Sequence, residues 1–446
     1  MPVEVKSREF ASRLLLSCFA AEEKFKVIFG SQSVINRNID NFPKGVIFDK
    51  SISKNKYHKL KSKVDNGFKI VSLDEEGLSS HDNKFIYLNQ RISSQTLNLT
   101  SLVFTWGKDE AKIITKNYPR CKNKVKIVGN PRIDLWHSNY KEIYQKQALK
   151  YQQKFGNYIL FPSNFVTKHA KGESFLIKQA WNMGIITNKK EEKEFISLQK
   201  YLKKSFNAHI NLIKKIAKKY KDITLVIRSH PSEDISAWNE VEKLPNVRVI
   251  FEGSITPWLL GSELSIHNNC TTGLETYLLG KPVISYRPYP HPEYGKHISN
   301  GVSLRVKTEE EVIHHVKNIL NDPDYFKENL EIWPSFKYII SISEDKFACE
   351  KIIEELIKLD WPESKEDHFS IPYLKEFIIN STDYAKKILS KSDLFKHRYS
   401  YKFQKFPGSS IEEIEELIKE YQRISGKFEN IKVKRISYDL YLIYKE

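Results

Sequence analysis

The sequence is poor in cysteine and has no long apolar run. Its 446 residues include four cysteines, which lie far apart and form no Cys-x-x-Cys pair: Cys18, Cys121, Cys270 and Cys349. This spacing argues against a zinc site and against a disulfide framework. No stretch approaches the roughly 18 unbroken apolar residues of a membrane-spanning helix, and the N-terminal residues lack the apolar segment of a signal peptide. We therefore expect a cytoplasmic protein.

The usual sequence signatures of nucleic-acid binding are absent as well. There is no RNA-recognition signature, no zinc finger and no basic strip interleaved with aromatic residues, so we expect no nucleic-acid partner. The charge is nevertheless strongly positive, with 72 Lys and Arg against 55 Asp and Glu and a formal net charge of +17. Such a charge favours anionic partners. Scattered lysines are typical of a solvated face, and peripheral association with an anionic inner membrane stays open.

The order of predicted elements indicates an α/β fold. Short apolar strands alternate with amphipathic helices, which is typical of parallel sheets. The chain is long enough for two domains, and we expect these at residues 1–140 and 155–360. Residues 361–446 differ in character, because they are aromatic and lysine-rich, with one predicted helix at 410–425 and one alternating strand at 431–444. They form an α+β extension of unknown role.

One strand end of the second predicted domain carries a cation and an imidazole. Residues 223–227 form a short β-branched run, which is typical of a strand buried on both faces. This run is followed by Arg228, Ser229, His230 and Pro231. Ligands of open α/β sheets bind beyond the carboxyl ends of the strands, so these side chains are candidates for binding a ligand. A histidine that only caps the strand is the alternative.

A second strand end leads into a predicted helix start. Residues 263–267 form another short run, and a helix is predicted to begin near Thr271, Thr272 and Gly273, with Glu275 in its first turn. Free N–H groups and the positive end of the helix dipole favour an anion at such a place. We expect both strand ends to face one negatively charged ligand, a nucleotide phosphate. An ordinary helix cap is the alternative.

The first predicted domain has an acidic strand end. The strand at residues 68–73 ends at Asp74-Glu75-Glu76-Gly77. Adjacent carboxylates repel one another, which suits one of them to act as a base, and glycine allows a sharp backbone turn beside them. A solvated acidic turn is the alternative explanation.

Three short motifs together resemble a known group of enzymes. His230-Pro231 with Glu75-Glu76-Gly77 is similar to the signature of bacterial sialyltransferases and capsule Kdo transferases. Gly129-Asn130-Pro131-Arg132 also resembles a segment common to glycerophosphotransferase-like and surface-carbohydrate proteins. The resemblance covers about residues 5–360 and implies a GT-B-like glycosyltransferase, in which two Rossmann-like domains face each other across a cleft.

The resemblance also implies roles for individual residues. Glu75, Glu76 and His230 are the implied catalytic residues, and the extra Asp74 leaves open which acid acts. The implied binding residues for the donor nucleotide are Arg228, His230, Pro231, Thr271, Thr272, Gly273 and Glu275. The implied reaction transfers a 2-keto sugar acid, Kdo or another nonulosonic acid, from a CMP-activated donor to a glycan or lipid-linked glycan acceptor. No metal and no cofactor besides the CMP-sugar is expected.

Two alternatives stay open. The same fold is compatible with a UDP-sugar 2-epimerase or with a CDP-glycerol-type polyol-phosphate transferase. A non-enzymatic alternative is a basic scaffold that recruits a glycan assembly complex to the inner membrane face, which predicts salt-sensitive binding to liposomes.

Overall fold

A computed structural model gives the fold of the chain. The structure describes residues 1–78, 87–165, 173–182, 186–230, 233, 235–291, 297–343, 345–361 and 405–446. Two compact units are formed, one by Met1–Ile143 with Lys337–Glu446 and the other by Tyr144–Phe336. The sequence-based division into 1–140, 155–360 and 361–446 did not include this return of the chain to the first unit.

The elements alternate along most of the chain. In chain order the described strands are β1 (Pro2–Val3), β2 (Val27–Ser31), β3 (Val46–Asp49), β4 (Lys69–Leu73), β5 (Leu102–Thr105), β6 (Val125–Ile127), β7 (Tyr158–Pro162), β8 (Thr224–Arg228), β9 (Val247–Ile250), β10 (Leu264–His267), β11 (Val283–Tyr286), β12 (Leu304–Val306), β13 (Ile431–Ser437) and β14 (Leu440–Lys445). The described α-helices are α1 (Lys6–Glu22), α2 (Gln32–Arg37), α3 (Tyr57–Asp65), α4 (Ser94–Leu99), α5 (Lys108–Asn117), α6 (Pro131–His137), α7 (Gln145–Phe155), α8 (Glu173–Asn182), α9 (Lys189–Lys219), α10 (Asn239–Glu242), α11 (Thr256–Gly261), α12 (Thr271–Leu278), α13 (Glu309–Asn321), α14 (Tyr325–Asn329), α15 (Phe336–Ile339), α16 (Ala348–Ile357) and α17 (Ile411–Ser425).

The first unit contains two four-stranded sheets. One has the order β3-β4-β5-β6 and is parallel throughout. Its central strands, β4 and β5, are buried on both faces, so apolar and polar residues do not alternate along them as they do in a half-buried strand. The other sheet has the order β1-β2-β14-β13, in which β1 is parallel to β2 while β14 is antiparallel to both of its neighbours.

The C-terminal part of the chain completes this second sheet. Strand β14 pairs with β2, with Leu442 opposite Ile28, and α17 reaches α1 through a hydrogen bond from the Tyr421 hydroxyl to the Ala11 carbonyl (2.8 Å). The single strand predicted at 431–444 is wrong, because the chain reverses at Asp439, where φ is +55°. The residues between Trp361 and Lys405 lie outside the described part of the chain.

The second unit is built on one six-stranded parallel sheet. Its order is β12-β11-β10-β7-β8-β9, so the chain winds outward from β7 to β9 and then returns to the other side of β7 with β10. This reversal creates a topological switch point between β7 and β10, where doubly wound sheets bind ligands at their carboxyl edge. The long helix α9 buries only its second half against the sheet, from Ser205 onward.

The predicted α/β class with two Rossmann-like units is confirmed. The strand predicted at residues 223–227 is β8, which begins at Thr224 and extends to Arg228. None of the described helices has both the length and the apolar content that spanning a membrane requires.

Candidate functional site

The carboxyl edge of the second unit's sheet is organised by a buried histidine. His267 ends β10 and is fully buried. Its Nδ1 accepts hydrogen bonds from the backbone N–H groups of Asn269 (3.1 Å) and Cys270 (3.3 Å). Because burial lowers the pKa of His267 to about 3, the ring is neutral, and its Nε2 carries the proton and donates to Ser303 Oγ (2.9 Å). The imidazole therefore fixes the loop that leads into α12.

The first turn of α12 packs directly on this imidazole. A Cβ atom at Gly273 would lie 2.4 Å from His267 Nε2, so only glycine leaves room for the ring. The Leu274 N–H donates to Ser299 Oγ (3.2 Å), and Ser303 Oγ donates in turn to the Ser299 carbonyl (2.5 Å). Glycine is therefore required at position 273, in the first turn of α12, because a larger residue would collide with the His267 ring.

The loop after β10 is held in a rare backbone conformation. Asn269 has φ = +92°, a region that few residues other than glycine adopt. Its side-chain oxygen accepts a hydrogen bond from Asn300 Nδ2 (2.6 Å), and Asn300 accepts one from Ser285 Oγ (2.8 Å). Side chains from the segment after β11 thus set the geometry of the loop at the switch point.

Several buried polar atoms at this edge have no hydrogen-bond partner. Within the described residues these atoms are Arg228 Nε, Ser229 Oγ, Asn268 Oδ1 and Thr272 Oγ1. Buried polar groups are normally paired, because leaving one unpaired costs about 1–3 kcal/mol. These four atoms lie at or beyond the ends of β8 and β10, so a ligand or ordered water bound at this edge would supply their missing hydrogen-bond partners.

Arg228 is committed to the protein backbone. Its guanidinium donates to the carbonyls of Ile250 (3.3 Å) and Gly253 (3.1 Å) and lies 5.4 Å from the centre of the Trp258 ring. Burial lowers the pKa of Arg228 to about 10, so the side chain is still charged at neutral pH. Arg228 was predicted as a nucleotide-binding residue, and the structure shows it fixing the loop that follows β9.

Glu233 connects the loops after β7 and β8, and sequence analysis missed it. Its Oε1 accepts from Ser163 Oγ (2.6 Å) and from the Phe165 N–H (2.5 Å). Its other oxygen lies 3.4 Å from the His230 N–H, and the Glu233 N–H donates to the His230 carbonyl (2.9 Å). Burial raises the pKa of Glu233. These contacts hold the backbone of His230 beside the loop that follows β7, while Pro231 lies outside the described residues.

Glu275, one of the implied binding residues for the donor nucleotide, is buried inside the second unit. Only 3% of its surface is exposed, and its Oε1 accepts a hydrogen bond from the hydroxyl of Thr256, the first residue of α11. Thr271, by contrast, is exposed, and Thr272 is half-buried at the start of α12. The helix start is therefore the accessible part of this edge.

In the first unit, Glu75 is paired with a buried arginine. Arg13 of α1 donates from Nη2 to Glu75 Oε1 (2.7 Å), and both side chains are almost completely buried. The ring of Phe48 covers the Arg13 guanidinium at 4.4 Å. Glu75 Oε2 has no hydrogen-bond partner among the described residues, and Arg132 Nη1 lies 4.0 Å from it. Arg13 was not predicted, although a single arginine within a buried helical stretch is unusual enough to signal a paired charge.

The neighbouring acids have different surroundings. Arg91 donates from Nε to Asp74 Oδ2 (2.7 Å) and from Nη1 to Glu76 Oε2 (2.7 Å). Asp74 is buried, whereas 53% of the Glu76 side chain is exposed. Arg8 is a second cation near Glu76, at 3.6 Å. Of the three acids, Glu75 alone pairs with a fully buried cation.

A further buried acid, Glu110, lies under this turn. It accepts hydrogen bonds from the Tyr87 hydroxyl and from the Trp106 N–H, both at 2.8 Å. Burial raises the pKa of Glu110 to about 8. A Cβ atom at Gly77 would lie 2.6 Å from Glu110 Oε1 and 2.6 Å from the Trp106 ring. The predicted sharp turn therefore requires glycine at position 77, because no side chain fits there.

The predicted residues thus fall into two groups, each inside its own unit. Arg228, His230, Thr271, Thr272, Gly273 and Glu275 are in the second unit, and Glu75 and Glu76 are in the first. Sequence analysis missed the groups that hold both sets in place: Arg13, Glu110, Glu233 and His267.

Comparisons with known proteins give a likeness of fold. No protein-family model and no curated protein matches the sequence. A UDP-GlcNAc 2-epimerase from Neisseria meningitidis bound to UDP-GlcNAc is 16% identical, with a TM-score of 0.46 over 80% of this chain and 84% of that chain. The UDP-GlcNAc 2-epimerase of Methanocaldococcus jannaschii with UDP-GlcNAc and UDP is 15% identical (TM-score 0.44, 73% and 78%). The wall teichoic acid polymerase TagF with CDPG is 12% identical (TM-score 0.37, 59% and 58%).

Proposed function

We propose that the chain is an enzyme acting on a nucleotide-activated sugar, and that the carboxyl edge of the second unit's sheet binds the nucleotide phosphate. The observation that supports this most is the set of buried, unpaired polar atoms there, among them Ser229 Oγ, Asn268 Oδ1 and Thr272 Oγ1 within the described residues. They accompany a switch point and a helix start, and both features favour an anionic ligand.

The N–H groups at the start of α12 and the imidazole of His230 are proposed to stabilise the phosphate as it leaves. Negative charge builds on the phosphate oxygen when its bond to the sugar breaks, because the electron pair of that bond stays with the oxygen. Preorganised donors are effective here, since they need no reorganisation during the reaction.

Glu75 is proposed to be the base in the first unit. In a transfer reaction the acceptor oxygen bonds to the sugar carbon while the bond to phosphate breaks, and the hydroxyl proton passes to the carboxylate. Glu75 Oε1 is held by Arg13, which leaves Oε2 as the oxygen able to take a proton. Because alanine at position 75 would leave Arg13 as an unpaired buried charge, Glu75→Gln is the informative variant.

The nucleotide and the reaction type are decided by a binding panel and a product assay. The version implied by the short motifs is transfer from a CMP-linked 2-keto sugar acid, and the others are 2-epimerisation of a UDP-sugar and polyol-phosphate transfer from CDP-glycerol. Calorimetry with CMP, CDP, UMP, UDP and UDP-GlcNAc identifies the nucleotide. An epimerase converts its nucleotide sugar without an acceptor, whereas a transferase requires one.

The test of the proposed site uses His230→Ala with His58→Ala as the control. His58 is an exposed histidine on α3 of the first unit. Losing a charge-assisted contact to the leaving phosphate raises the barrier by about 3 kcal/mol, so we expect turnover to fall about a hundredfold in His230→Ala and to stay unchanged in the control. The proposal is rejected if no nucleotide binds, or if His230→Ala and Glu75→Gln both turn over normally.

A further inference from the structure

The first unit contains a cavity of about 430 Å³ that is separate from the ion pair at Glu75. Three segments line it: α6 with the residues that follow it, residues 341–343 with 346–348, and the end of α17 with Lys427. Pockets for small ligands typically measure about 300–1,000 Å³, so this space is large enough for one or two sugar rings.

The polar side chains that line the cavity are not engaged with one another. The Tyr140 hydroxyl is buried and near the Ser425 side chain, but it does not complete a hydrogen bond of ordinary geometry with Ser425 or with another described residue. The side chains of Asn139, Ser341 and Ser343, which also line the cavity, make no hydrogen bond within the described part of the chain. Hydroxyl and amide groups both donate and accept, so the cavity offers several neutral groups for hydrogen bonding to a polyhydroxylated ligand.

The charged groups of the cavity are already paired. Lys427 Nζ lies 2.7 Å from Glu350 Oε1, and Lys346 forms an ion pair with Glu354. The carboxylate of Asp134 accepts the N–H groups of Ala348 and Cys349, each at 2.9 Å, and so caps α16. An anionic ligand would have to compete with these carboxylates for the lysines, so the lining favours a neutral ligand over a phosphate.

An aromatic surface completes the lining. Phe347 is half-buried, faces the cavity and packs against the Tyr140 ring, with the two centroids 5.5 Å apart. A pyranose ring presents hydroxyl groups at its edge and an apolar C–H face, which matches hydroxyl and amide partners beside an aromatic ring.

We propose that this cavity binds a neutral sugar residue, and that this residue belongs to the glycan acceptor. The second part rests on the proposed function, and it is motivated by α6. This helix contributes Ile133, Asp134 and His137 to the cavity and also carries Arg132, whose Nη1 lies 4.0 Å from Glu75. Sugar binding itself needs no nucleotide and is measured separately.

The test is binding of glucose, galactose and N-acetylglucosamine to the full chain, measured by saturation-transfer NMR in the absence of nucleotide. We expect at least one sugar to bind. Tyr140→Phe removes one hydroxyl and keeps the ring, so the affinity should fall about fivefold to tenfold, and Ser343→Trp should fill the cavity and abolish binding. Tyr118→Phe is the matched control, since Tyr118 lies outside the cavity, and it should bind as the unchanged protein does.

The two proposals fail in different ways. Nucleotide binding is measured on the same samples and should be unaffected by Tyr140→Phe. If sugar binds but no nucleotide does, the proposed function fails and the cavity assignment stands. If none of the three sugars binds, or if binding survives Ser343→Trp in a folded protein, the cavity assignment is overturned whatever the nucleotide result.

Discussion

Replacing His267 with glutamine should disorder the start of α12 and weaken nucleotide binding, whereas replacing it with asparagine should do so far less. The imidazole Nδ1 accepts two backbone N–H groups, from Asn269 and Cys270. An asparagine oxygen lies near the position of Nδ1 and can accept both. A glutamine amide instead reaches the position of Nε2, so it keeps the contact with Ser303 and leaves the two N–H groups without an acceptor.

The structure sets the size of the effect. The Cys270 N–H is buried, so leaving it unpaired costs about 1–3 kcal/mol, while water can reach the half-buried Asn269. A loss of about 2 kcal/mol lowers the midpoint of thermal unfolding by about 4–8 °C in a domain of this size. Nucleotide affinity should fall about tenfold in His267→Gln, because the loop is ordered in fewer molecules before binding. In His267→Asn the hydrogen bond to Ser303 is lost along with the ring packing, but the Ser303 hydroxyl keeps its bond to the Ser299 carbonyl.

Calorimetric titration with the nucleotide from the binding panel, together with thermal unfolding of the same samples, distinguishes the two variants. Because asparagine keeps an acceptor near the position of Nδ1 and glutamine does not, His267→Asn should bind the nucleotide more tightly than His267→Gln. Equal loss of affinity in both variants would refute this explanation, and so would unchanged affinity in a destabilised His267→Gln protein.

Three further predictions concern stability. Arg13→Met leaves Glu75 as a buried charge without its partner and should destabilise the first unit by about 3–5 kcal/mol in urea unfolding; a loss below about 1 kcal/mol would contradict the burial of the pair. Gly273→Ala should lower the free energy of unfolding by about 1–3 kcal/mol, because its Cβ would collide with the buried imidazole of His267. Gly45→Ala is the control and should be neutral, because its Cβ would have no neighbour within 4 Å. Equal effects of the two variants would contradict the steric argument. Burial raises the pKa of Glu110 to about 8, so the folded state holds a proton that the unfolded state releases above about pH 4.5. The free energy of unfolding should therefore fall by at most about 1.4 kcal/mol per pH unit between these two values. Glu110→Gln should flatten that slope, and an unchanged slope would refute the assignment.

The fold class could be predicted because local patterns determine it. Runs such as residues 223–227 are short, β-branched and bounded by turn residues, and the structure forms a strand at each such run that was singled out in the second unit. The position of residues 405–446 could not be predicted. Their pairing with β2 is a long-range contact, and the turn at Asp439 has neither glycine nor proline to mark it. A continuous alternating pattern therefore suggested one strand where two are formed.

Candidate site residues could be predicted only where they follow a strand end. Glu75 and His230 meet that criterion, because a strand pattern shows where its carboxyl edge lies. The groups that hold them do not: Arg13 is on a helix remote in sequence, and Glu233 acts through the loops after two different strands. In the sequence, His267 is simply the last residue of the short run at 263–267. Only the packing of Gly273 and Ser303 around it shows that the ring holds the loop before α12.

The segment that begins at Gly129 illustrates how a short motif combines structural and chemical roles. Gly129 has φ = +90° and no room for a side chain, because a Cβ atom would lie 2.7 Å from the Ser341 carbonyl oxygen. Asn130 caps α6 by accepting the Arg132 N–H (2.9 Å), and Asp134 caps α16. Gly129, Asn130 and Asp134 thus have structural roles, because each one stabilises or makes room for nearby backbone. Arg132 differs, because its guanidinium lies over the Trp136 ring with Nη1 4.0 Å from Glu75 Oε2. The architecture of the motif therefore serves to hold one cation beside the oxygen to which we assign the proton transfer.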